Sequence, residues 1–577
     1  MGEKILIIGG VAAGPKTACR VKRLLPDAEV TIVDIDSLIS YGGCGIPYYV
    51  SGDVSDEKEL RSTSFHAVRD EAFFSDAKGV SMLTRNKALA INRQAKTVQV
   101  ENLDTGEKQN LPYDKLVLAT GSSPNRLRIP GADLQGVYVV NDMHRAMAIK
   151  NDLAHGKVDK AVVIGGGAIG LEMAEALGDL WGIETTVLEY MDQLLPRIVD
   201  PPFAAMLEKH LRDNNITVYT GESATAIEPD DTGRVCRVVT PQRTIETNLV
   251  IMSVGVRPRG DLAQEAGLLV SPHGSIVVNN RMQTSDPDIY AAGDCTETVN
   301  LISGAKNHTP MGSLANRQGR IVADNIAGIP SRFDGWVGSF IMKAFECCIA
   351  GTGMSLTAAR ADDFDAEVAI TAQSDRAHFF PTQAVIMLQM VFDKTSRRVL
   401  GFQGFGPMND SILARINAAA ALIANGATID DFSNLEMAYA PPFSTALDAL
   451  NATANVADNL AAGRLRTISI EDYLAWMKAS PSSRPDWVTL DIRHPKEAAE
   501  FVNVFSEDLW KAIPYVEIRA RYSELPDDKT LVIICDAGTR SSEVQIFLDS
   551  VGRTNNLVLG GGFNAIRRIG PDWWPSK

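Results

Sequence analysis

The chain has 577 residues, 45% apolar and 22% charged, with a formal net charge of −15. Such a length exceeds one core and implies about three to five domains of a soluble globular protein. The acidic balance excludes a non-specific nucleic-acid binder, which needs a basic surface, and no run approaches the roughly 18 apolar residues of a membrane span. The first residues, MGEKILIIGG, read as a strand and not as a secretory leader. The seven cysteines show no Cys-x-x-Cys pair, no Cys/His zinc spacing and no disulfide framework. That usage points to a reducing cytoplasm and to no metal site.

Lys4 to Ile8 is an apolar run suited to a buried parallel strand. Gly9-Gly10-Val11-Ala12-Ala13-Gly14 follows, then a helical stretch through Leu25, a strand over Glu29 to Val33, and Asp34. This is the order of a dinucleotide fold. Gly9 permits a tight turn, Gly14 lets helix and strand approach, the free helix amides face a pyrophosphate, and Asp34 accepts from a ribose. Val11 stands where the middle glycine is usual.

Ser40-Tyr41-Gly42-Gly43-Cys44-Gly45-Ile46-Pro47 comes next. It places Cys44 on a glycine-rich helix entry, where free amides favour a thiolate. Lys115 to Leu118 is a strand ending in Ala119-Thr120-Gly121. A second nucleotide fold occupies 161–189, with a complete Gly165-Gly166-Gly167-Ala168-Ile169-Gly170 turn, a helix from Leu171, a strand over Thr185 to Leu188, and Glu189. An acid there binds ribose hydroxyls and repels a 2′-phosphate, which favours NADH while leaving NADPH open. Arg197 and Arg243 stand too far along the chain to reverse that reading. Val254-Gly255-Val256-Arg257-Pro258 and Ile289-Tyr290-Ala291-Ala292-Gly293-Asp294 complete the set.

These motifs, in this order over roughly residues 1–450, resemble the pyridine nucleotide–disulfide oxidoreductases. The resemblance implies FAD in the first site, NAD(P)H in the second, and Asp294 on the flavin's ribityl chain. Relatives with an internal disulfide carry a second cysteine about five residues away, and Cys44 has none. The segment is similar to the single-cysteine branch: coenzyme A-disulfide reductases, NADH oxidases and peroxidases, and persulfide reductases. Cys44 then cycles as a mixed disulfide, a persulfide or a sulfenic acid. Tyr439-Ala440-Pro441-Pro442-Phe443-Ser444 resembles the coenzyme A-disulfide reductases, in which this tyrosine reaches the partner subunit's cysteine, so a homodimer is implied. The family's second tyrosine is replaced within Phe379-Phe380-Pro381. Lys16, Arg20, Lys22 and Arg23 form a basic cluster that, alone, is as readily a solvated helix face. The resemblance makes them a coenzyme A site, with Ser40 and Gly43 on the way to Cys44. The remaining cysteines, 19, 236, 295, 347 and 348, read as packing residues.

Residues 448–466 read as a helix and connector, after which a new α/β pattern begins. Trp487 to Ile492 is a strand carrying Asp491-x-Arg493, and Leu531 to Ile534 is a buried strand leading into Cys535-Asp536-Ala537-Gly538-Thr539-Arg540. The amides after Cys535 can cradle a thiolate or persulfide anion, with Arg540 closing the loop. The order resembles a rhodanese domain, although Ala512-Ile513-Pro514-Tyr515 departs from that family's usual segment.

The expected fold is α/β: two doubly wound dinucleotide-binding domains (FAD, 1–112 and 247–325; NAD(P)H, 150–246), an α+β dimerisation domain (326–450) and a rhodanese-like α/β domain (466–577). The expected activity is NADH-dependent reduction of persulfides, polysulfides or coenzyme A disulfide, without nucleic-acid or membrane partners. A sulfenic-acid NADH oxidase or peroxidase and a flavoprotein redox sensor are the competing readings.

Overall fold

Ile5 to Ile8 and Leu116 to Leu118 are buried without alternation, as in a parallel sheet covered on both faces. The computed structural model describes residues 2–480 and 486–570. In it these segments are central in a five-stranded parallel sheet ordered Ile289–Ala291, Lys115–Leu118, Lys4–Ile8, Glu29–Val33, Ser81–Leu83. A second parallel sheet is ordered Ile216–Tyr219, Glu184–Leu188, Lys160–Ile164, Leu249–Met252, Val137–Val139. In both, the strand that leads into the glycine turn is central, the arrangement that opens a ligand crevice at the strands' carboxyl ends. The helix expected from Leu171 begins earlier, at Ala168, because Gly167 already serves as its cap residue.

The chain divides into two compact units, Met1–Tyr190 with Asn215–Trp336, and Met191–Asn214 with Val337–Lys577. The first holds both sheets just described. The second holds a five-stranded antiparallel sheet, Phe340–Ala344, Cys347–Gly353, Val399–Pro407, Val385–Asp393, Ala366–Ser374, and a C-terminal parallel sheet, Thr467–Ile468, Asn556–Leu559, Thr530–Ile534, Trp487–Asp491, Trp510–Ala512. Helix Pro201–Asp213 belongs to this unit. Buried Asp200 fixes it, accepting from Gln403 Nε2 at 2.9 Å, Gln389 Nε2 at 2.5 Å and the Leu356 amide at 2.9 Å. Gly560 and Gly561 seat the C-terminal sheet against Ile370 and Met387, where Cβ atoms would meet side chains at 2.7 and 3.2 Å. No helix among the described residues is long and apolar enough to cross a membrane.

One buried ion pair organises the loops of the second unit. Arg415 donates to Asp448 (Nη2–Oδ2 2.6 Å, Nε–Oδ1 2.9 Å) and to the Asp375 carbonyl at 3.1 Å, while Ser444 Oγ donates to Asp448 at 2.6 Å. It thereby ties the segment after Tyr439 to the one preceding Phe379-Phe380. Arg415→Met leaves Asp448 buried and unpaired, so it is expected to cost about 3–5 kcal/mol, read as a lowered unfolding midpoint, whereas Arg415→Met/Asp448→Leu recovers most of that loss. Equal loss in the single and double variants would show that packing, not the charge pair, holds these loops.

Candidate active site

The first glycine turn is set by backbone contact. Gly9 has φ +115°, and a Cβ there would stand 2.1 Å from the Ala119 carbonyl oxygen; one on Gly14 would stand 1.9 Å from the Gly9 oxygen. Helix Ala13–Leu24, capped at Ala12, has no side-chain cap and no acid in its first turn. Helix Gly312–Ile326 is likewise uncapped. Some helices elsewhere are closed by side chains, those of Asp56, Asp142, Asn409 and Ser469 among them, and others are not. Gly293 lies between the two uncapped starts, its absent Cβ 3.4 Å from Ala13 Cβ and 3.5 Å from Ala315 Cβ, and its amide donates to Gln318 at 2.7 Å. Two helix starts with unsatisfied amides suit a pyrophosphate. Asp34 accepts from the Gly10 and Asp36 amides at 2.5 and 2.8 Å. Burial raises the carboxyls of Asp34 and Asp294 despite such bonds, Asp294 taking one from Ser122 Oγ at 3.2 Å. Thr120 Oγ1 donates to the Arg259 carbonyl, and Gly121, at φ +70°, faces open space. The residues fit an FAD-class dinucleotide.

The second turn repeats the design. A Cβ on Gly165 would stand 2.2 Å from the Ser253 oxygen and one on Gly170 2.0 Å from the Gly165 oxygen, while Gly167 faces open space. Buried Glu189 accepts from the Gly166 amide at 2.6 Å. The fold corrects one expectation, for Arg243 is not remote. Its guanidinium lies 3.7 Å over Tyr219, whose carbonyl takes the Glu189 amide, and Nε pairs with Glu222 at 3.0 Å. Strand order, not chain distance, decides proximity; Glu222 offsets the positive charge, so the acid at Glu189 still disfavours a 2′-phosphate.

Cys44 sits in a short 3-10 turn, Gly43–Gly45, before helix Ile46–Ser51. Gly45 is required there, since a Cβ would meet Leu60 Cδ2 at 2.4 Å. A Cβ on Gly312 would stand 3.8 Å from Cys44 Sγ, so the start of helix Gly312–Ile326 borders the thiol. A local backbone hydrogen bond favours the Cys44 thiolate, as expected, but it is outweighed by opposing effects. Although Cys44 is open to one side, burial of its sulfur raises the thiol, and the charges of Glu172 and Asp294 raise it further. Burial also raises the Glu172 carboxyl to about 7, with Glu175 adding to it. Tyr48 feels the same acids and Cys44, its phenol pushed up to about 12 chiefly by burial. The sequence reading missed Glu172, Tyr48 and Gly312. Only Glu172, an acid two residues past the last glycine of a nucleotide turn, carries a local signal.

The basic residues of the first helix divide. Arg20 pairs with Asp324 at 2.8 Å, and Lys22 donates to the Pro26 and Ala28 carbonyls at 2.6 and 2.9 Å. Lys16 and Arg23 are exposed. Ser40 is buried at φ +51° with its amide on the Gly10 carbonyl, so it shapes the turn into Cys44; Gly43 packs near Tyr41.

Tyr439 and Cys535 belong to the second unit. Tyr439, Phe443 and Phe379 are 50%, 76% and 67% exposed. Cys535 ends strand Thr530–Ile534 and is buried, and the Gly538 amide donates to its sulfur at 3.1 Å. Arg540 pairs with Asp536 across the loop, a partner the sequence reading did not name. A Cβ on Gly562 would meet the Cys535 and Asp536 carbonyl oxygens at 2.6 Å, and the Phe563 and Asn564 amides bond those oxygens. Asp491 and Arg493 form a fully buried pair at 2.7 Å, with Phe563 stacked 3.8 Å from the guanidinium. Tyr515, in the departed segment, bonds Glu543.

The model of the family described as pyridine nucleotide-disulphide oxidoreductase matches residues 3–309, and that of its dimerisation domain residues 341–450. The NAD(P)H coenzyme A polysulfide/persulfide reductase of Pyrococcus horikoshii is 33% identical, across 79% of this chain and 98% of its own. The NAD-dependent persulfide reductase from A. fulgidus is 37% identical with a TM-score of 0.91, covering 97% of this chain and 99% of that one. Reduced Bacillus anthracis CoADR-RHD is 29% identical with a TM-score of 0.89, covering 99% and 98%. With two uncapped nucleotide turns, a thiol beside the first, and these matches along its length, the chain belongs to the pyridine nucleotide-disulphide oxidoreductase family.

Proposed function

We propose that the chain is an NADH-dependent flavoprotein that reduces the sulfur–sulfur bond of persulfides and polysulfides, coenzyme A persulfide among them, to thiol and sulfide. The observation that carries this is Cys44, a free thiol at the mouth of the first nucleotide site with all other described cysteines also free. A lone thiol makes and breaks a bond to substrate sulfur instead of to a neighbouring cysteine. The relatives named as a coenzyme A polysulfide/persulfide reductase and as a persulfide reductase support the substrate class.

FAD, held by the Gly9–Gly14 turn, Asp34, Gly121 and Asp294, supplies a two-electron relay between nicotinamide and sulfur. The Gly165–Gly170 turn and Glu189 hold NADH. Cys44 attacks the substrate: Cys-SH plus CoA-S-SH gives Cys-S-S-CoA and hydrogen sulfide. NADH and one proton then return Cys44 and coenzyme A as thiols. Because burial and nearby acids keep Cys44 protonated at neutral pH, the attack needs a proton acceptor, and the Glu172 carboxyl, about 7, is half ionised there. Glu172 takes the thiol proton and gives it to the leaving sulfur.

Lys16 and Arg23, the two cations of the first helix left exposed, receive the phosphates of coenzyme A, with the neighbouring Arg20 and Lys22 framing the site and Ser40 and Gly43 shaping the approach to Cys44. Residues 466–577 act as a rhodanese domain whose Cys535 captures sulfane sulfur under the Gly538 amide, Arg540 closing the loop. The exposed Tyr439, Phe443 and Phe379 face a second copy of the chain in a homodimer, with Tyr439 directed to the partner's thiol.

Under nitrogen, Cys44→Ser is expected to abolish NADH-dependent sulfide release; retention of activity would remove the proposal. Activity should rise with pH through about 7 as Glu172 ionises. Glu172→Gln should abolish that limb, lower the rate roughly 10²-fold, and move the midpoint of Cys44 alkylation to lower pH by removing a negative charge. An unchanged limb would assign it to another group. Cys535→Ser should slow polysulfide turnover and spare coenzyme A persulfide; equal loss on both would contradict a separate sulfur-capturing role.

A further inference from the structure

His210, on the last turn of helix Pro201–Asp213, meets the hairpin formed by strands Phe340–Ala344 and Cys347–Gly353. The hairpin's connection is two residues, Phe345 and Glu346, and Phe345 adopts φ +51°, a left-handed conformation uncommon for a bulky side chain. Phe345 and Phe405 hold the His210 imidazole edge-to-face at 6.2 and 6.1 Å. One ligating atom from each of His210, Glu346 and Cys347 lies within 4.8 Å of the others, the one such mixed group among the described residues.

We propose that His210, Glu346 and Cys347 bind a zinc-class divalent cation, with the Ala344 carbonyl as fourth donor. The donor set of imidazole, carboxylate and thiolate is that of a borderline-soft ion. His210 Nε2 and Glu346 Oε2 are 3.6 Å apart, too long for a hydrogen bond. It is close to the edge of a zinc tetrahedron, roughly 3.3–3.6 Å for metal–ligand bonds of about 2.0–2.3 Å. The Ala344 oxygen is 3.1 Å from the same nitrogen. Without a cation the ring can donate its proton to that carbonyl; with one, the nitrogen lone pair and the oxygen serve the metal together. The ion would clamp the helix to the hairpin and withhold Cys347 from the sulfur chemistry of the protein. Cys347 read as a packing residue from sequence, because its metal partners lie on other segments or carry no metal spacing.

The test is equilibrium dialysis of the flavin-loaded, chelator-treated protein against zinc, with X-ray absorption at the zinc edge. One zinc per chain is expected, with one sulfur and otherwise nitrogen or oxygen neighbours. His210→Gln and Cys347→Ser should each weaken binding at least about tenfold, with flavin content and NADH turnover unchanged, while Cys44→Ser/Cys535→Ser should bind as before. Absence of stoichiometric zinc in the unaltered protein, a coordination shell without sulfur, or binding unaffected in both site variants would overturn the proposal.

Discussion

Gly14 comes so close to the Gly9 carbonyl that a Cβ would stand 1.9 Å from its oxygen, and the rest of the nucleotide-binding architecture depends on that approach. It brings the uncapped start of helix Ala13–Leu24 onto the end of strand Lys4–Ile8, where anion-seeking amides can meet a pyrophosphate. The same demand recurs at Gly170 over Gly165, at 2.0 Å, and at Gly562 under the Cys535 loop, at 2.6 Å. At each place backbone packs directly on backbone and the absent side chain leaves polar main-chain groups facing a site.

The two thiols built around these turns have opposite surroundings. Burial, with the charges of Glu172 and Asp294, raises the Cys44 thiol. Cys535 is enclosed and receives the Gly538 amide, with Arg540 anchored across its loop by Asp536. The first setting suits a nucleophile switched by a neighbouring acid–base group; the second suits storage of an anionic sulfur. The two environments support the proposed division between reduction and capture.

The parallel strands, glycine turns and terminal acids were legible because each is encoded within about 30 residues and obeys local rules of period and backbone freedom. Cys44 and Cys535 were legible for the same reason. What surrounds them was not. Glu172 and Gly312 come from distant stretches, and the acid's opposing effect on the thiol is invisible to a reading of local amides alone. Arg20 and Lys22 looked equivalent to Lys16 and Arg23 on the helix, yet Asp324 and two carbonyls engage them. Arg243 was set aside by chain distance and returned beside Glu189's strand by sheet order. Helix Pro201–Asp213, inside the range 150–246 expected for the NAD(P)H domain, is held in the second unit through buried Asp200.

The central claim is that Cys44 bonds covalently to substrate sulfur and is released at the expense of NADH. Its most direct test is peptide mass spectrometry of the flavin-loaded protein, mixed anaerobically with stoichiometric coenzyme A persulfide and then with NADH. A coenzyme A or sulfur adduct is expected on the Cys44 peptide, lost on adding NADH, with one sulfide released per NADH consumed. An adduct confined to other cysteines, or one on Cys44 that NADH does not remove, would contradict it.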